Sequence, residues 1–169
     1  LTLAALLFLL LPAPVRAAQA YSIPLTLEDR VYCATAIEQV YWNHRIWPEE
    51  NKSPKPPLKA FLPEASIREK VEDYLKKSNA LEIFWQRPVT AQQLQAEMDR
   101  LARETKRPDV LRELFAALHN DPYLIAECLA RPILVERIMH DMYAGDERFH
   151  GALKRQIESE LMIANTAET

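Results

Sequence analysis

Apolar residues recur every three or four positions along most of the chain, which is the spacing of one face of an α-helix. The first of these segments begins at Thr26, because Thr26 and Asp29 stand at the spacing of a helix-capping box with Asp in place of the usual Glu. It ends before Pro48. Thr90 and Gln93 form a second capping box at the start of another apolar segment. The pattern predicts an all-α fold, an irregular domain of about six helices.

Prolines mark where several of the remaining helices begin. A second helix is predicted from 64 to about 77, and Pro108 opens a helix whose apolar residues extend nearly half-way round its surface. Leu114 and Phe115 lie on that apolar surface and are predicted to belong to the core. The sequence Asn-Asp-Pro at 120–122 then supplies a helix stop, an N-cap and a first-turn proline. The last helices follow this point.

Three segments depart from the helical period. Five prolines between 48 and 63 exclude regular helix and favour an extended, polyproline-like arm. The run from Leu81 to Trp85 is rich in β-forming residues and predicts either one short strand or an apolar continuation of the preceding helix. Arg131 followed by Pro132 is expected to kink or break the helix. The fold therefore includes a Pro-rich arm and at most one short strand.

The N-terminus has the pattern of a secretory signal peptide. An apolar run at 1–11 is followed by small residues that end in Ala-Gln-Ala at 18–20. The run is shorter than the ~20 residues that a membrane-spanning helix requires, so we expect no stable membrane insertion after its removal. The sequence thus predicts an exported protein, periplasmic or secreted. Its predicted parts are a signal peptide at 1–20, a helix and Pro-rich arm at 21–63, a helical domain at 64–163 and a frayed tail at 164–169.

The charge pattern argues against one class of partner, and the two cysteines allow a disulfide. The formal net charge is −3, and acidic and basic residues alternate, so we expect no nucleic-acid partner. The two cysteines, Cys33 and Cys128, lie on apolar helical faces. In an oxidising compartment they could form a disulfide, or they could remain two small buried side chains. The sequence leaves both alternatives open.

No motif in the sequence points to catalysis. There is no Gly-x-Ser-x-Gly turn, and the four histidines lack the spacing of zinc or haem ligands. His140, Asp141, Glu147 and His150 could approach one another across the turn at Gly145, but ordinary helix-end histidines beside a carboxyl-rich turn are the favoured interpretation. We therefore expect a non-catalytic protein without a metal or other cofactor.

Aromatic and methionine side chains are the candidates for a binding surface. Tyr41 and Trp42 are adjacent and cannot share one helix face, so at least one of them should face outward or into a groove. Methionines supply adaptable apolar surface that tolerates varied ligands. Core packing is the alternative for each of these side chains. The candidate peptide-binding residues are Tyr41, Trp42, Trp47, Phe84, Trp85, Met98, Met139 and Met142.

The order of patterns between 80 and 143 is a short apolar run, a turn, a capped helix and then a long apolar helix. The run is 81–85, the helix opening is Val-Thr-Ala-Gln-Gln-Leu at 89–94, and the later apolar helices include 125–137. This order resembles the N-terminal peptide-binding domain of SurA-like periplasmic chaperones and related parvulin-type prolyl isomerases. The turn differs from that family, with Gln-Arg-Pro at 86–88 where Asn-Gly or a similar pair is usual.

The resemblance implies that the chain binds unfolded or extended polypeptide, as a chaperone-like module. A parvulin catalytic domain would need about a hundred further residues with a β-sheet and a Gly-rich pattern, which this sequence lacks, so isomerase activity is not expected. Residues 21–79 also resemble an N-terminal extension found beside such domains in large exported proteins. The alternative is therefore an interaction module of a larger exported protein, or of a parvulin-type isomerase, of which this chain is a fragment.

Overall fold

The computed structural model describes residues 24–145 together with 151, 155, 156, 159 and 160, and every regular element within them is helical. The all-α fold expected from the hydrophobic pattern is confirmed. The predicted signal peptide at 1–20, Glu147, His150 and the predicted tail at 164–169 lie outside the described residues. The elements are α1 (Leu27–His44), α2 (Leu58–Phe61), α3 (Glu64–Trp85), α4 (Ala91–Glu104), α5 (Pro108–Ala117), α6 (Pro122–Leu124), a π-helix (Ile125–Ala130) and α7 (Arg131–Gly145).

Both predicted capping boxes are confirmed. The Asp29 N–H donates to Thr26 Oγ1 at 3.1 Å, and the Thr26 N–H donates to the Asp29 carboxylate at 2.9 Å. Thr90 and Gln93 exchange the same two hydrogen bonds at the start of α4. These bonds satisfy amide groups that have no partner within the helix. Three-residue signals in the sequence therefore determine where α1 and α4 begin.

Helix α3 continues to Trp85, so the interpretation of Leu81–Trp85 as a short strand is wrong and the helical continuation is correct. Leu81 is fully buried and lies on the same face as Val71 and Tyr74, which keeps the helical period unbroken. Gln86 follows as the C-cap, and its left-handed backbone (φ 53°) turns the chain before Pro88. Packing of α3 against α1 and α7 outweighs the β-propensity of its last five residues.

The arm between 48 and 63 is only partly extended. Leu58–Phe61 form the short helix α2, so the expectation that prolines exclude helix throughout the arm is wrong for these four residues. Pro57 occupies the N-cap with φ −64° and ψ 152°, where its missing N–H costs nothing. The buried side chain of Leu58 anchors α2, which contacts α1.

Pro132 does not interrupt the helical structure, so the expected break is absent, because a π-helix precedes it. The Arg131 N–H donates to the carbonyl of Ala126, five residues back. A proline cannot donate to the carbonyl four residues back, and its ring clashes with that carbonyl in an α-helix. The wider π-helical turn accommodates both effects, so helical structure continues from Ile125–Ala130 into α7.

Three groups of buried apolar side chains hold the helices together. One joins α1 to α5 and the π-helix, a second joins α1 to α3, and a third joins α4 to the π-helix and α7. Helix α1 contributes to the first two groups, so the segments 21–63 and 64–163 share a common core. None of the helices in the described residues combines the length and the apolar character needed to cross a bilayer.

Candidate functional site

An open cleft of about 830 Å³ lies between α1, α3 and α7. Ligand pockets in proteins have volumes of roughly 300–1,000 Å³ and mostly apolar linings with a few polar groups. Charged side chains surround the mouth of this cleft. The apolar lining residues are Ala34, Ile37, Val71, Cys128, Pro132 and Ile133.

A short side chain on α1 leaves part of the space that forms the cleft. Ala34 lies one helical turn from both Val31 and Ile37, which belong to two different core groups, and it offers only a methyl group between them. Opposite α1, the wall formed by α7 begins with Pro132 and Ile133. The π-helix leads directly into α7 at Arg131. The cleft is therefore a product of a short side chain on α1 and of the path of the chain through Pro132.

A polar network fixes the inner end of the cleft. Arg30 donates hydrogen bonds to Tyr74 Oη at 3.2 Å and to the carboxylate of Glu127 at 2.9 Å. Arg131 donates to both oxygens of the same carboxylate, at 2.8 and 2.9 Å. Burial alone would raise the pKa of Glu127, but the hydrogen bonds from Arg131 and Arg30 outweigh burial and lower it. The network joins α1, α3 and the π-helix and holds the cleft walls in place.

Two ion pairs connect the cleft walls nearer the surface. Lys70 on α3 lies 2.7 Å from Glu38 on α1, joining Nζ to Oε1. Lys77 on α3 reaches Asp73 at 2.9 Å and Glu136 on α7 at 2.5 Å. Hydrogen bonds from Lys77 to Glu136 and Asp73 raise the pKa of the lysine. Because these pairs are exposed, they orient the rim more than they stabilise the fold.

Cys33 and Cys128 lie in the same buried core group, and Cys128 also lines the cleft. Both are free thiols in the structure. Burial raises the pKa of Cys128, and the hydrogen bond with the Cys33 thiol raises it further. The structure thus brings together the two cysteines that the sequence left as a potential disulfide or as two buried side chains.

The tryptophans at the end of α1 contact the Pro-rich arm of the same chain. Trp42, which is 6% exposed, stacks on Phe61 with ring centroids 4.6 Å apart, and its indole N–H donates to the carbonyl of Pro56 at 3.0 Å. Trp47 meets Trp42 edge-on at 6.3 Å, and its indole N–H donates to the carbonyl of Ser53 at 2.9 Å. The arm therefore covers Trp42, and Tyr41 is the member of the adjacent pair that faces outward.

The remaining candidate residues lie on other elements. Tyr41 lines a smaller cavity of about 350 Å³ with residues of α4, α5 and α7. Phe84 and Trp85 contact each other at the end of α3, and the ring of Phe84 is exposed. Met98 packs against two core groups. Met139 and Met142 are half-buried on α7. None of the eight candidates lines the 830 Å³ cleft.

The described residues give no support for a metal site. No group of three or more His, Cys, Asp or Glu side chains there could hold a metal ion. His140 Nδ1 and Asp141 Oδ1 lie 3.7 Å apart, and the other two members of the cluster considered from the sequence are outside the described residues.

Sequence reasoning assigned several cleft residues to the core but did not find the cleft. Ile37, Val71 and Ile133 stand in apolar helical patterns, which predict burial without saying what they are buried against. The signals that could have found the cleft are Ala34, a short side chain within an apolar face, and the proline at 132. Neither signal gives the angle between helices.

Comparison with family models, with curated proteins and with solved structures gives no match for this chain.

Proposed function

We propose that this chain is an exported, non-catalytic helical module that binds extended or unfolded polypeptide, and that the cleft between α1, α3 and α7 is its binding site. The observation that supports the proposal is an open, apolar cleft of about 830 Å³ whose walls are fixed by buried polar contacts. Export rests on the signal-peptide pattern at 1–20 and chaperone-like activity on the resemblance to SurA-like domains.

An extended apolar segment of another protein suits this cleft for two reasons. Its side chains can enter the apolar floor formed by residues such as Ile37 and Val71, which removes apolar surface from water. Its backbone stays at the open mouth, where water and charged groups satisfy the N–H and C=O groups that a closed pocket would leave without partners. Ordering the segment offsets much of this gain, so we expect affinities in the range of about micromolar.

Occupying the cleft with a larger side chain tests the proposal. In the Ala34→Phe variant the ring enters the cleft floor, whereas Ala96→Phe places the same ring on the exposed face of α4. We expect Ala34→Phe to weaken binding of a fluorescein-labelled peptide with a Leu-Val core and Ser flanks about tenfold or more, measured by anisotropy. Ala96→Phe should bind as the unmodified chain does. Circular dichroism of both variants checks that the helices are retained.

The same variants connect binding to chaperone-like activity. The unmodified chain should slow the light scattering of a chemically unfolded polypeptide at micromolar concentration, and Ala34→Phe should do so less. A standard prolyl-peptide assay should show no acceleration of cis–trans isomerisation. Failure of the unmodified chain to bind any apolar peptide or to slow aggregation would refute the proposal, and equal binding by Ala34→Phe and Ala96→Phe would place the site elsewhere.

A further inference from the structure

We propose that the cleft prefers apolar segments that carry basic residues beside them. This inference rests on the proposed function and adds the chemical class of the segment. It follows from the charges at the mouth of the cleft. Most cations that line the cleft form ion pairs with carboxylates, whereas on one side of the mouth the carboxylates outnumber the cations beside them.

Two of the cations that line the cleft already bind other side chains of the protein. Arg30 is held by Tyr74 and by the buried carboxylate of Glu127, which does not line the cleft. Arg137 lies 2.5 Å from Glu97, a carboxylate that is 1% exposed and that also bonds to Arg100. The Arg30 side chain is 12% exposed and thus largely inaccessible to a segment at the mouth, whereas Arg137 is 50% exposed but already contacts the Glu97 carboxylate.

The carboxylates at the junction of α3 and α7 are more exposed and outnumber their cation. Asp73 and Glu136 share the single ammonium of Lys77, and their side chains are 60% and 65% exposed. Asp141 follows on α7, 68% exposed, with the imidazole of His140 beside it at 3.7 Å. All three acidic residues line the cleft. Three carboxylates and one ammonium group give this side of the mouth net negative charge, which complements lysine or arginine next to an apolar segment.

Three peptides with one Leu-Val core and different flanks test the preference. The flanks are lysine, serine or glutamate, and dissociation constants are measured by anisotropy at low ionic strength with the full chain. An exposed charge pair contributes modestly, so we expect the lysine-flanked peptide to bind about three- to fivefold more tightly than the serine-flanked one, and the glutamate-flanked one more weakly. Raising the salt concentration should remove most of the difference.

A pair of matched variants identifies the charges responsible. Glu136→Gln with Asp141→Asn removes two carboxylates at the mouth, and Glu69→Gln with Glu82→Gln removes two exposed carboxylates of α3 that do not line the cleft. The ratio of lysine-flanked to serine-flanked affinity should fall toward one in the first variant and stay unchanged in the second.

The outcomes separate this inference from the proposed function. Equal affinity for all three peptides would overturn the charge preference and leave polypeptide binding intact. A preference that survives in Glu136→Gln/Asp141→Asn, or that falls equally in the control variant, would also overturn it, because general attraction to an acidic protein would then explain the ratio. No binding of any peptide would refute the proposed function itself.

Discussion

Arg30 Nη2 lies 2.9 Å from Glu127 Oε2, and this contact joins α1 to the π-helix across 97 positions of the sequence. Both side chains are close to fully buried, at 12% and 10% exposed. Arg131 binds the same carboxylate, so one acidic group neutralises parts of two cations. A buried carboxylate with two guanidinium partners is well satisfied, but either partner left alone in this environment would be costly.

Removing the charge of Glu127 should therefore destabilise the fold and alter its response to acid. Glu127→Gln should lower the free energy of unfolding by about 2 kcal/mol near neutral pH, because Arg30 and Arg131 lose their counter-charge. The pKa of Glu127 is lowered from its ordinary value of 4.5, so its contribution is fully present above that pH and is lost as the pH falls through the lowered value. Urea titrations across this range measure both effects.

The control for this prediction is Glu69→Gln, which removes an exposed carboxylate from α3. It should have nearly the stability of the unmodified chain at each pH. The difference in stability between the unmodified chain and Glu127→Gln should shrink below about pH 4.5, since protonation then removes the same charge from the unmodified chain. A difference that stays constant with pH would contradict an ionised Glu127 in the folded state.

We expect Trp42 to contribute to the stability of the fold and not to peptide binding. Its ring stacks on Phe61 and is covered by the arm, so Trp42→Ala should lower the free energy of unfolding by about 3 to 5 kcal/mol through the cavity that it leaves. Ile46→Ala, at a side chain that is 85% exposed, should change it by less than about 0.5 kcal/mol. Peptide affinity measured below the melting transition should stay unchanged in both variants. Loss of affinity without loss of stability would instead make Trp42 a binding residue.

Local and non-local structure differ in how far the sequence predicts them. The starts of α1 and α4 depend on Thr26 and Thr90 with residues three positions away, and the sequence was sufficient there. The last five residues of α3 are helical despite their β-propensity; the first of them, Leu81, is fully buried, whereas Ile83 and Phe84 are exposed. Pro132 was recognised as a disruption, but the π-helix that absorbs it depends on the packing around it.

The candidate site was harder to predict than the helices. Adjacency showed that Tyr41 and Trp42 point in different directions, but not which of them is buried. The Pro-rich arm decides this, because it folds back over Trp42 through contacts that no periodic pattern contains. The cleft depends on the short side chain of Ala34 and on the angle between helices, and a hydrophobic pattern predicts neither the space beside Ala34 nor that angle.

The neighbouring residues Leu114 and Phe115 should differ in their contribution to stability. Leu114 is buried in the group that joins α1, α5 and the π-helix, whereas Phe115 packs against that group and is only partly buried. Leu114→Ala should lower the free energy of unfolding by about 3 kcal/mol, the usual cost of a cavity in a closed core. Phe115→Ala should cost less despite the larger ring, because water can fill part of the space. Denaturant titrations that give the opposite order would contradict the orientation of α5.

The two cysteines should resist modification in the folded protein and react once it unfolds. Cys33 and Cys128 are 3% and 6% exposed, and the raised pKa of Cys128 further reduces its reactive thiolate. With a thiol reagent at mildly alkaline pH, we expect no reaction over minutes for the native chain and reaction of both thiols in concentrated guanidinium. Cys33→Ala should leave Cys128 equally protected, since burial is the largest cause of its raised pKa. Rapid reaction of native Cys128 would show that the cleft admits solvent to its thiol. Absence of free thiols after unfolding, with a mass lower by two hydrogens, would show that the chain carries the disulfide instead.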